Sequence, residues 1–201
     1  MSELWDLIVT MDDATSKHYS MFFVEEEGTQ SSFQGVYEVI DKHGLFASFY
    51  TDRGSHYWYT PEAGKKVDKE NLTQFGRAMR QLGIEMIPAY SPEARGRSER
   101  AFRTNQDRLV KELALAGITD MKQANAYIRD IYMPAFNDEF AVSPEEYIPR
   151  LKTVFQYTMP FFIIVNFSGG IFTNSGMLAA RSGGVNQSRR TGTDSRPSLL
   201  R

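Results

Sequence analysis

Two short stretches carry the residue types from which phosphodiester chemistry is built. The first, SFYTDRGSHYW (48–58), ends an apolar run on Asp52 and turns at once through Arg-Gly. The second, SPEARGRSERAFRTNQDRL (91–109), sets Glu99 among Arg95, Arg97, Arg100 and Arg103, with Arg108 and Lys111 further on. Each carboxylate has an ordinary reading by itself. An aspartate before Arg-Gly serves as a turn residue that accepts from nearby amides. A glutamate in the first turn of a helix suits the macrodipole. Together they point further. Guanidinium groups grip backbone phosphates, and carboxylate oxygens are the ligands that hard cations such as Mg2+ or Mn2+ take. Two such ions about 3.5–4 Å apart can activate an attacking oxygen and stabilise the leaving one. The competing reading is a solvated helix face, on which Glu93, Glu99, Asp107 and Glu112 pair with the neighbouring bases.

The elements that must hold these residues follow from periodicity. Leu7 to Met11 (LIVTM) reads as a buried strand, DDATSK as a turn, and His18 to Glu26 as a second strand completing a hairpin. Thr29 to His43 places Phe33, Val36, Tyr37 and Ile40 on one helical face, with Gly44 as a stop. LFASFYTD is a third strand, ending at Asp52. After a long polar loop, Asn71 caps a helix bearing Leu72, Phe75, Met79 and Leu82, which Gly83 ends. Ile84 to Tyr90 is a fourth strand. A helix from about Arg97 to Ala116 turns Phe102, Leu109 and Leu113 inward, and a last one covers about 120–137. A hairpin followed by alternating helices and strands predicts an α/β fold, a mixed sheet covered by helices.

The bulk composition is that of a globular chain: 201 residues, 41% hydrophobic, 24% charged, and a formal net charge of −2. Binding to DNA therefore has to rest on a local basic surface. With no cysteine, disulfides and thiolate zinc sites are excluded. The N-terminus has acidic residues and no basic leader, so the expectation is no signal peptide and a cytoplasmic, nucleoid-associated location. Residues 153–172 carry no charge, but Gln156, Pro160, Asn166 and two glycines argue against a membrane span. The Ser-, Gly- and Arg-rich remainder is expected to be disordered.

LIVTMDDATSKHYSMFF, FYTDRGSHYW, LGIEMIPAYSPEARGRSERAFRTNQDRLVKEL and PAFNDEFAV resemble successive blocks of the integrase catalytic core of bacterial insertion-sequence transposases. These belong to the retroviral-integrase-like superfamily, with an RNase H-like fold and an Asp-Asp-Glu triad. The resemblance runs from about Leu4 to Val142. It implies that Asp52 is the second triad carboxylate and Glu99 the third, both ligating Mg2+ or Mn2+. It makes Gly54 part of the active-site turn and the arginines at 95, 97, 100 and 103 candidates for DNA contact. The implied activity is DNA transposition or integration: metal-assisted attack of water, then of a DNA 3′-hydroxyl, on a phosphodiester.

The match breaks at the first aspartate, which the family carries on a strand preceding LIVTMDDATS. Met1 lies only six residues before Leu7, so no such strand is expected here. Asp12 and Asp13 sit in a hairpin turn and read as turn chemistry; Asp6 is a weaker substitute still. The expected fold is thus an RNase H-like sheet lacking its first central strand, with two unpaired edges left behind. The expected division is a partial core over 1–146 and an atypical extension over 147–201, apolar and then disordered. The expected role is that of an inactive fragment. Alternatives are a non-enzymatic DNA-binding or regulatory remnant, associating with full-length transposase or with itself, and a metal-dependent nuclease on the same fold.

Overall fold

The computed structural model describes residues 5–62, 65–90, 96–143 and 163–172. Strands β1 (Trp5–Asp12) and β2 (His18–Val24) form the expected hairpin, α1 (Thr29–His43) follows, and β3 (Ser48–Thr51) leads to Asp52. Then come α2 (Gln74–Gln81), β4 (Glu85–Pro88) and α3 (Gly96–Leu115). The last helical stretch is α4 (Met121–Tyr127), a π-helical turn (Ile128–Tyr132) and α5 (Met133–Phe140), run end to end. The helix expected over 120–137 is therefore a continuous rod with a wider turn in its middle.

The cap of α2 differs from expectation. Thr73, not Asn71, is the N-cap: its hydroxyl accepts from Gly76 N at 3.0 Å and donates to Tyr57 O at 2.9 Å. Asn71 instead donates its side-chain amide to Asp68 at 2.6 Å. Threonine and asparagine both cap well, so spacing could not choose between them. The tertiary contact with Tyr57 does. The stop at Gly83 is as expected: its φ of 73° lets Ile84 N reach back to Met79 O at 2.9 Å.

The sheet has five strands in the order β2-β1-β5-β3-β4, where β5 is Ile163–Phe172. It pairs antiparallel with β1 and parallel with β3, and β3 pairs parallel with β4. This corrects the expectation of a sheet without a centre. The two inner edges, of β1 and β3, carry rows of backbone donors and acceptors that cannot be left unpaired in a buried layer. An uncharged run rich in isoleucine, valine and phenylalanine supplies the strand that pairs them. Of the segment read as apolar in the sequence, 163–172 is this strand. The 146/147 boundary and the tail after 172 lie outside the described residues. Among the described residues no helix is long and apolar enough to cross a membrane.

Each face of the sheet buries its own cluster. Trp5, Leu7, Val9 and Met11, alternate residues of β1, pack with Phe102, Leu109 and Leu113 of α3 and with Ile128, Tyr132 and Phe136. On the other face Val36 and Val39 of α1 meet Phe49, Tyr57, Phe75, Met79 and Ile84. The intervening β1 residues Ile8, Thr10 and Asp12 are fully buried too, so β1 is covered on both sides as an inner strand must be.

A buried polar chain locks α3 onto this sheet. The ring of His18 lies 3.0 Å from Ser16 O through Nδ1, and a carbonyl can only accept. Nδ1 therefore carries the proton, and Nε2 accepts from the Asn105 side-chain amide at 2.8 Å. Asn105 Oδ1 in turn accepts from the Tyr132 hydroxyl at 3.0 Å. Asn137 holds the His18 backbone on both sides, accepting from its N–H at 2.7 Å and donating to its carbonyl at 2.8 Å. Protonation of His18 would set two donors against each other, and burial pushes its pKa down from 6.5 to about 4. The unfolded chain thus binds a proton between these values that the folded chain refuses. Stability is complete above about pH 6.5 and falls by about 3 kcal/mol as the pH drops to about 4. Urea titrations between pH 7 and pH 4.5 should show this slope, and His18→Gln should remove most of it. His43 and His56, whose pKa values burial also lowers, act in the same direction.

Candidate active site

Asp52 lies half-buried just past the end of β3, and its Oδ1 accepts from Gly54 N at 2.8 Å. This is the turn bond that the sequence led one to expect. Tyr57 N and Trp58 N both reach Gly54 O, at 3.0 and 2.9 Å. Trp58 Nε1 donates to Thr51 Oγ1 at 2.8 Å, pinning the turn to the strand end. The turn closes tightly around Gly54: a Cβ there would stand 2.9 Å from His56 Cε1 and 3.0 Å from Asp52 Oδ1.

His56 is a site residue that the sequence reading missed. It is half-buried, its Nε2 lies 3.4 Å from Glu27 Oε1, and its ring centroid is 3.9 Å from that of Tyr57. Nε2 is buried and makes no hydrogen bond among the described residues, and it forms an ion pair with Glu27 only when the ring is protonated. Burial lowers the His56 pKa, and the Asp52 carboxylate opposes this. The sequence held one signal, a histidine four residues after the aspartate. Nothing in it could bring Glu27, from the loop before α1, to the same place.

Glu99 is exposed in the first turn of α3. Phe49 belongs to the cluster under α1 and α2, whereas Tyr50 packs with the cluster under α3. Phe102 and Ala101 of α3 pack into the Tyr50 cluster, and Glu99 stands one helical turn before Phe102. Asp52, one residue past the end of β3, is folded back into the Gly54 turn beside His56.

Of the other carboxylates, Glu27 reaches the Asp52 turn through His56. β3 is paired with β5 as far as Tyr50, which is level with Val165, and Val165 pairs with Met11. Asp6 and Asp12, on β1, have other duties. Asp6 Oδ2 accepts from Glu27 N at 2.9 Å. Asp12 is fully buried, and its Oδ2 accepts from Thr15 N at 2.9 Å and from the Thr15 hydroxyl at 2.5 Å. Asp13 is half-buried beyond β1 in the same turn. Among the described residues no group of three or more His, Cys, Asp or Glu side chains could hold a metal ion.

The basic cluster divides. Arg95 lies outside the described residues, and Arg97 is described only as backbone of α3. Arg100 and Arg103 are exposed. Further along, Arg108 bonds Glu139 at 2.7 Å and stacks over the Phe140 ring at 5.1 Å, and Lys111 lies 4.0 Å from Asp107. That end of the helix carries intramolecular pairs.

Over about seven tenths of its length the chain is similar to transposases, one of them of a named insertion sequence. It is 39% identical over 140 residues to a Sinorhizobium fredii protein named "Putative transposase y4bF", covering 69% of this chain and 30% of the relative. It is 30% identical over 138 residues to the transposase for insertion sequence IS1202 of Streptococcus pneumoniae, with the same coverage of each. The resemblance read from the motifs is borne out by these two relatives, of whose length the chain spans 30%. Among solved structures it is similar to the simian T-cell lymphotropic virus intasome in complex with PP2A regulatory subunit B56 gamma, at 16% identity and a TM-score of 0.44, covering 69% of this chain and 48% of that one. No family model matches.

The crowding at Gly54 is open to test. Gly54→Ala should push the Asp52 carboxylate off its amide and displace the His56 ring. The expected cost is about 1 kcal/mol, read by urea denaturation, with the His56 ring resonances shifted in NMR spectra and those of His18 unmoved.

Proposed function

We propose that this chain is a partial transposase core that engages DNA through the first turns of α3 and does not itself complete the phosphoryl-transfer site. The observation that supports the reading is the exposure of Glu99, Arg100 and Arg103 together in the first turns of α3. The transposase relatives support DNA as the partner. In that role the arginines bind phosphate oxygens by charge-assisted hydrogen bonds, and the Asp52 turn, braced by Gly54 and Trp58, forms the floor beneath the bound backbone.

Magnesium or manganese would supply the activation of the attacking and leaving oxygens. The residues present do not fit such ions: among the described residues no group of three or more His, Cys, Asp or Glu side chains could hold one. No bond-breaking step is therefore assigned to this chain, and strand transfer is not expected from it with either metal.

DNA binding should be weak and independent of sequence. It should fall steeply with salt, because phosphate contacts release counterions. Electrophoretic mobility shifts of a short duplex between 50 and about 200 mM salt should show this. Arg100→Ala with Arg103→Ala should lower both the affinity and the salt slope. Unchanged affinity would return these arginines to the role of a solvated helix face.

A further inference from the structure

We propose that the furrow running along α2 is a track for single-stranded DNA, with Tyr59 as the platform for an unstacked base and Lys69, Arg77 and Arg80 as its phosphate contacts. The choice of DNA rests on the functional reading above; the furrow itself does not.

Three adjoining hollows make up this surface. One lies between Trp58, Tyr59 and Thr73, the next between Tyr59, Thr73 and Arg77, and the last runs from Trp58 and Lys69 past Arg80 to Met86. Tyr59 and Thr73 line both of the first two, and Leu72 and Arg80 line both the second and the third, so the three are continuous. Trp58, at the floor, belongs to the core cluster under α1 and α2, whereas α3 packs into the cluster on the other face of the sheet. The furrow is thus a surface separate from Arg100 and Arg103.

Its charge suits a phosphate backbone. Lysines and arginines outnumber acids six to four between Arg53 and Glu85, on a chain whose formal charge is −2. Two of those acids are engaged. Asp68 accepts from Glu70 N at 2.8 Å and from the Asn71 side-chain amide at 2.6 Å, and Glu62 pairs with Lys65 at 2.6 Å. Glu70 and Glu85 remain along the lining, against exposed Lys69, Arg77 and Arg80. Among the described residues Lys69 and Arg80 make no ion pair.

The aromatic residues choose between one strand and two. Tyr59 is 49% exposed, and among the described residues its ring stacks on no other ring and its hydroxyl makes no hydrogen bond. Its backbone is held, since Tyr59 O accepts from Asp68 N at 2.8 Å. Tyr90 is equally exposed but already in use: its hydroxyl accepts from Val67 N at 3.1 Å, and the Arg53 guanidinium lies over its ring at 5.4 Å. Bases within a duplex have their faces covered by their neighbours. An open ring in a concave, basic lining therefore suits a base that is out of its stack. The near wall is fixed in advance, because Thr73 both caps α2 and donates to Tyr57 O.

Fluorescence anisotropy of the full-length chain tests this with two labelled probes, a single-stranded oligothymidylate of about 16 nucleotides and a duplex of the same length. Tyr59→Ala should weaken binding of the single strand about tenfold and leave the duplex unchanged. Tyr59→Phe, which keeps the ring, should bind the single strand as the original chain does. Lys69→Ala with Arg80→Ala should weaken the single strand and flatten its salt dependence. Should Tyr59→Ala lower the melting temperature, Arg80→Glu, at an exposed position of α2, provides the second measurement and should weaken the single strand further than alanine. No binding of the single strand by the original chain overturns the track. So does unchanged affinity in folded Tyr59→Ala or in Arg80→Glu, an equal loss in Tyr59→Phe, or an equal loss of both probes in Tyr59→Ala. Failure of the α3 reading would show as duplex binding unmoved by Arg100→Ala with Arg103→Ala, and would leave the single-strand losses in place.

Discussion

The inner edges of β1 and β3 each expose a row of amide and carbonyl groups to a layer sealed on both sides by helices. Those groups must be paired, because water cannot reach them there and an orphaned buried peptide group is costly. β5 meets that demand, and most of the architecture depends on its doing so. It joins the hairpin half of the sheet to the parallel half. It thereby brings the floor of α3, built on β1, into line with the end of β3, where Asp52 stands. Without a strand in that place, Asp52 and Glu99 would ride on two half-sheets linked only through the helices.

Backbone pairing is blind to side chains, so β5 satisfies its neighbours by its extended form, and a fixed register sets the level of each residue along them. Asp6 and Asp12, on β1, are each committed to a backbone or hydroxyl partner of their own.

The positioning of α3 rests on a different device. His18, Asn105 and Tyr132 form a chain of hydrogen bonds in which every donor and acceptor is assigned by the carbonyl of Ser16. A buried polar chain of this kind adds less to stability than to geometry. It fixes the rotation of α3 about its axis, and so fixes which side of the first turn holds Glu99 and which holds the arginines. The pH dependence of folding and the orientation of the candidate DNA surface are thus linked through one histidine.

Much of this was legible in the sequence, because local rules govern it. The apolar runs in LIVTM and LFASFYTD marked strands, Gly83 marked a helix stop, and Asp52 before Arg-Gly marked the amide-accepting turn. Glu99 and its arginines were placed at a helix start by spacing alone. What only the tertiary structure decided was set by partners distant in the chain. Thr73 caps α2 in place of Asn71 because Tyr57 O waits for its hydroxyl. His56 stands against the Asp52 turn with Glu27 meeting it from another loop. The uncharged run after 162 could be read as apolar but not as a central strand, since nothing local to it reports the unpaired edges of β1 and β3 more than a hundred residues earlier. Those edges, and not any property of the run itself, determine where it goes.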